Sequence, residues 1–169
     1  MRDHMSLTDL SKVIEWAVGV HLDRIKSIEL ILLKGHLMLE VAIDSTIRTL
    51  DKHNTSKLKD LSFHRKLQLL NSFQPYASPD LKKALVHLRN LNILRNSLAH
   101  EFMFNGGAEA LGKWSEVVLV DFPGTKVCRH TFRTKIIQAF SAIARHLVDP
   151  VRSEDDNKIE KPTKTETYG

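Results

Sequence analysis

Arg95, Asn96 and His100, in the segment LRNSLAH, are residue types that can handle a phosphate ester. A guanidinium offers a planar fork of donors that matches phosphate oxygens, and it stays charged. An imidazole titrates near neutrality and moves protons in either direction. On a helix, an amide four residues before a histidine lies on the same face and can orient its ring. On a wheel of about 100° per residue, Ala84, Leu88, Leu91, Leu94 and Leu98 fill one continuous arc. Arg89, Asn92, Asn96 and His100 gather on the other side, and Arg95 falls at the margin of the leucines. A guanidinium there needs a partner to offset its lost hydration. Two kinds fit: a carboxylate, with Glu40 and Glu29 as candidates, or an anionic ligand. A histidine in a last helical turn is also accounted for by the helix-end charge alone.

The elements that must position these groups are helices. A first helix over 8–18 begins at Thr8 and repeats Leu10, Val13, Ile14 and Ala17, with Gly19 as its break. A long second helix from Asp23 to Leu50 carries apolar residues beyond one stripe, which predicts a central position with neighbours on several sides. Asp51–Asp60 reads as a polar connection, and Leu61–Phe73 as a short helix with Phe63, Leu67 and Leu70 on one side. After the prolines of residues 74–79, Ser78 or Asp80 caps a fourth helix from Leu81 to about Met103, stopped by Asn105-Gly106-Gly107. Glu109–Ser115 adds a helical turn, and Val117–Val127 reads as a short extended hairpin around Pro123-Gly124. The last helix, Phe132–Leu147, has Ile136, Ile137, Phe140, Ile143 and Leu147 on its core face. The expected fold is all-α: a bundle of four to five main helices with an antiparallel central pair, one domain over 1–149 and a disordered, charged tail over 150–169.

Composition narrows the function classes. With 42% apolar residues the chain can build one core, and seven glycines and five prolines do not suit a loop-rich chain. The single cysteine, Cys128, excludes a disulfide framework and a multi-cysteine zinc site, and points to a reducing compartment, the cytoplasm. No apolar leader is visible, and the run Ile28–Ile43 is interrupted by Glu29, Lys34, His36 and Glu40, so no membrane association is expected. A net charge of +5 favours approach to a polyanion without identifying one.

The segment Leu91–His100 resembles the motif of the HEPN superfamily: an arginine, a polar residue directly after it, and a histidine four to six residues beyond the arginine. Arg95-Asn96-(three residues)-His100 matches its tight form. Ser62-Phe63-x-x-Lys66-Leu67-x-Leu69-Leu70, a prolined turn and the motif-bearing helix also resemble bacterial HEPN-like proteins, so the likeness covers about residues 23–104 and a closing helix. The resemblance implies a metal-independent endoribonuclease, with two copies of the motif facing each other across a homodimer interface. It implies His100 as general base or acid, Arg95 as the stabiliser of transition-state charge, and Asn96 as a positioning group. RNA is the implied substrate, no cofactor is required, and an antitoxin or regulatory protein is an expected partner in a toxin or phage-defence setting. Phe102 stands where HEPN toxins silenced by tyrosine nucleotidylation carry a tyrosine, so that form of silencing is not expected.

Three other readings compete. A catalytically silent HEPN-like module would bind nucleic acid, nucleotide or protein, or regulate transcription. A metalloprotein would use His36 with Glu40, or Cys128 with His130, but neither pair supplies the three or four ligands of a zinc site. A structural adaptor would pair Arg95 with a carboxylate of its own subunit and open no cleft around it.

Overall fold

The computed structural model describes residues 7–51, 55–73, 78–100, 105–123 and 131–148. Among them the fold is all-α: α1 (Leu7–Asp23), α2 (Ile28–Leu50), a 3-10 turn (Thr55–Asp60), α3 (Phe63–Ser72), α4 (Pro79–His100), α5 (Asn105–Asp121) and α6 (Phe132–Val148). Six helices replace the expected four to five. The additional one is α5, where a helical turn and a hairpin were expected. The run Val117–Val120 is strand-like in composition, but burial follows a helical period: Leu111, Trp114 and Val118 face the core, while Val117 and Val120 are exposed. Asn105, Gly106 and Gly107 open α5 instead of merely stopping α4. The part of the hairpin over residues 124–127, the expected end of the fourth helix at Met103 and the tail lie outside the described residues.

The first two helices divide elsewhere than at Gly19. That glycine lies inside α1, close to Ser141 of α6, and the chain breaks at 24–27 before Ser27 caps α2 by accepting from Leu30 N at 3.2 Å. The α1 stripe is also turned from the expected one: Val18 and Leu22 are buried, whereas Val13 and Ala17 are exposed. The cause is a contact from far along the chain. Arg133 of α6 donates to the carbonyls of Leu22, Asp23 and Ile25, satisfying the end of α1 together with the local bond from Ile25 N to Leu22 O.

The core gathers on α6, which packs against α1, α2, α4 and α5. Ile136, Ile137, Phe140, Ile143 and Leu147 are buried as expected, and so are Phe63, Leu67 and Leu70 of α3. Gly35 lets α2 approach closely, because a Cβ there would meet the Phe140 ring at 2.5 Å. Leu58, in the connection read as polar, is buried and ties the 3-10 turn to the same core. The second and fourth helices run in opposite senses, as expected. Phe63 and Lys66 meet His36 and Asp44 in the same order, so α3 runs with α2, while Arg89 of α4 bonds back to Asn71 near the end of α3. No helix among the described residues is long and apolar enough to cross a membrane.

Candidate functional site

α4 is positioned by its start and its middle. Ser78 accepts from Leu81 N at 3.2 Å and caps its start. Ala84, Leu88 and Leu91 are buried, and Leu94 and Leu98 are half-buried against the core, so the leucine arc faces inward. His87 is buried on the same helix; its Nε2 lies 2.8 Å from Asp121, and its carbonyl accepts from Trp114 Nε1 at 3.0 Å. These bonds fix the rotation of α4 against α5.

That rotation turns Asn92, Arg95 and Asn96 toward α2 and the beginning of α3. Between the three helices lies a groove of about 530 Å³. α2 contributes Leu33, His36, Leu37 and Glu40 to its wall, and the start of α3 contributes Ser62, Phe63 and His64. Arg95 is exposed, and its Nη1 donates to Asn96 Oδ1 at 3.2 Å. No carboxylate among the described residues pairs with it.

The reason lies in Lys66. Its side chain is only 3% exposed, and its Nζ lies 2.8 Å from Glu40 and 2.8 Å from Asp44. Burial acts to lower the lysine's pKa, but the hydrogen bonds to Asp44 and Glu40 outweigh it and hold the ammonium above its ordinary range. Glu40, a carboxylate that the sequence offered to Arg95, is therefore held by Lys66. The guanidinium keeps its charge for the groove.

The three predicted site residues are not all brought together. Arg95 and Asn96 line the groove. His100 ends α4, exposed and outside the groove wall, and no hydrogen bond joins it to Asn96. The histidines that line the groove are His64 of α3 and His36 of α2, the latter half of the pair weighed above as a metal chelate. His36 is buried on α2 along with Leu32, Leu39 and Ile43, a position the sequence did not reveal, since there it only interrupted an apolar run. Its other half, Glu40, is engaged by Lys66, and no group of three or more metal-ligating side chains occurs among the described residues. The Cys128–His130 pair lies outside them. No family model, curated protein or solved structure matches the chain.

Proposed function

We propose that this chain is a HEPN-type endoribonuclease that cleaves RNA without a metal, with Arg95, Asn96 and His100 as its working residues. The observation that carries the reading is the state of Arg95. It is a guanidinium that no carboxylate among the described residues pairs, on the wall of a groove large enough for a small ligand, which is the opposite of what a structural adaptor requires. In the reaction the 2′-oxygen of a ribose bonds to the adjacent phosphorus as the bond to the next 5′-oxygen breaks. The His100 imidazole takes the 2′-hydroxyl proton, and the leaving oxygen takes a proton from the resulting imidazolium or from water. Arg95 stabilises the charge that gathers on the phosphoryl oxygens.

His100 stands outside the groove of its own subunit, so the reading requires a second copy to bring a histidine to it. Support comes from α2, where Leu30, Leu33, Leu37 and Val41 form an exposed apolar stripe, and where Leu33 and Leu37 also line the groove. A two-fold partner seated there would cover the stripe and place its own α4 end beside Arg95. The same position of His100 favours the second reading, a silent nucleic-acid-binding module, if the chain stays monomeric. Purified chain incubated with single-stranded RNA in EDTA decides between them. Cleavage to 2′,3′-cyclic phosphate ends, lost in His100→Ala and restored by mixing His100→Ala with Arg95→Ala chains, is the expected result. Binding without cleavage by a monomer would leave the silent module.

A further inference from the structure

His36 is only 5% exposed and lies against Phe63, ring centroids 4.1 Å apart and planes tilted by 35°, yet it forms part of the groove wall. Asn92 hydrogen-bonds the ring in a way that favours its protonated form. The Nε2 atom is buried with no hydrogen-bond partner among the described residues. A buried nitrogen left so is a cost that an incoming ligand atom would remove.

The charged groups around it point to the kind of ligand. From α4 comes Arg95; from its own helix, Glu40, already bonded to Lys66 of α3. His64, also from α3 and on the groove wall, is bonded to Gln68. The start of α3 adds a partial positive charge, because among the described residues Ser62 Oγ accepts from Arg65 N alone and the amides of Phe63 and His64 precede any intrahelical partner. Burial first, and Arg95 second, keep the His36 pKa below its ordinary value, so the resting ring is biased to the neutral form.

We propose that the groove is a binding site for a tetrahedral oxyanion, held by Arg95, the N-terminal end of α3 and His36 Nε2, and that the anion enters with a proton on His36. A neutral ring bonded through Nδ1–H to Asn92 presents a lone pair at Nε2, which repels an anion. Protonation converts the same atom into a charged donor, and the anion in turn offsets the repulsion between imidazolium and Arg95. This deepens the reading of the groove as a phosphate site, but does not depend on cleavage. The oxyanion has two sources: a phosphodiester of a nucleic-acid backbone, or a free anion.

The test uses sulfate and a short DNA oligonucleotide, which lacks the 2′-hydroxyl; neither probe titrates in the relevant range. The His36 ring resonance of the full chain is followed against pH with and without sulfate. The midpoint is expected to rise when sulfate is present. Sulfate affinity is expected to fall about tenfold per pH unit above the sulfate-free midpoint and to level off below it. Arg95→Ala should weaken binding about tenfold or more, and His36→Gln should remove the pH dependence. Competition by the oligonucleotide supports a backbone source; sulfate binding without competition supports the site and assigns it to a free anion. A wild-type His36 titration unmoved by sulfate overturns the proposal even if RNA is cleaved, and needs no variant to fold. Sulfate binding that Arg95→Ala leaves intact overturns it as well.

Discussion

Two arginines, Arg133 of α6 and Arg95 of α4, show what separates a structural cation from an available one. Arg133 gives its donors to the carbonyls of Leu22, Asp23 and Ile25 and to the Asp23 carboxylate, 3.0 Å from Nη1. It closes a helix end. Among the described residues Arg95 gives one hydrogen bond, to the adjacent Asn96, and it lines the groove. The same contrast holds for two buried histidines, each with one ring nitrogen lacking a partner. His87 lies against Asp121, whose carboxylate also meets Lys83 at 3.7 Å, whereas His36 has Arg95 nearby and no carboxylate bonded to it. A side chain whose partners come from its own fold stabilises that fold. One left without them is available to something else.

The sharpest way to break the comparison is to remove each arginine in turn. Arg95→Ala should lower RNA cleavage by about a hundredfold or more with little change in melting temperature, and Arg95→Lys should be nearly as damaging because the fork is lost. Arg133→Ala should leave the groove chemistry intact and destabilise the fold by about 2 kcal/mol, since it uncovers the α1 carbonyls. Equal loss of cleavage in both variants, measured at a temperature where both are folded, would remove the distinction.

Lys66→Met tests the device that keeps Arg95 free. Removing the ammonium leaves Glu40 and Asp44 without their partner, and chemical denaturation should show a loss of about 3 kcal/mol. Glu40 then becomes available to Arg95, so anion binding should weaken in the folded variant. Unchanged stability would mean that Lys66 does not hold the pair.

Gly35→Ala probes the close approach of α2 to α6 one residue before His36. The added methyl meets the Phe140 ring, which is fully buried and has little room to move, so a cost of about 1–3 kcal/mol is expected in the same measurement. A neutral or stabilising result would show that the two helices can separate without consequence for the core.

The smallest effect is the pH dependence that His36 adds. Its pKa is lowered on folding from an ordinary 6.5, so the unfolded chain binds a proton that the folded chain resists. Stability should therefore decline as pH falls through 6.5 and stop declining below the lowered folded value. Thermal melts of wild type against His36→Gln should show this component in the wild type alone, and sulfate should reduce it. Parallel pH profiles would remove His36 as the source.

By itself the sequence determined the all-α class, the core faces of α3 and α6 and the inward leucine arc of α4, with Arg95 at the margin of that arc, where the structure leaves it exposed. These are local properties: helical period, caps and hydrophobic spacing lie within one segment. It misplaced the α1–α2 break because the stabilising cap, Arg133, lies far along the chain, and it misread Val117–Val120 because strand-like composition there yields to burial against α6. Tertiary structure alone decided that Lys66 takes Glu40, that Arg95 faces a groove, and that His36 rather than His100 lines it in this subunit. Each of those outcomes depends on which of several chemically equivalent partners is nearest, and distance between helices is written in no single one of them.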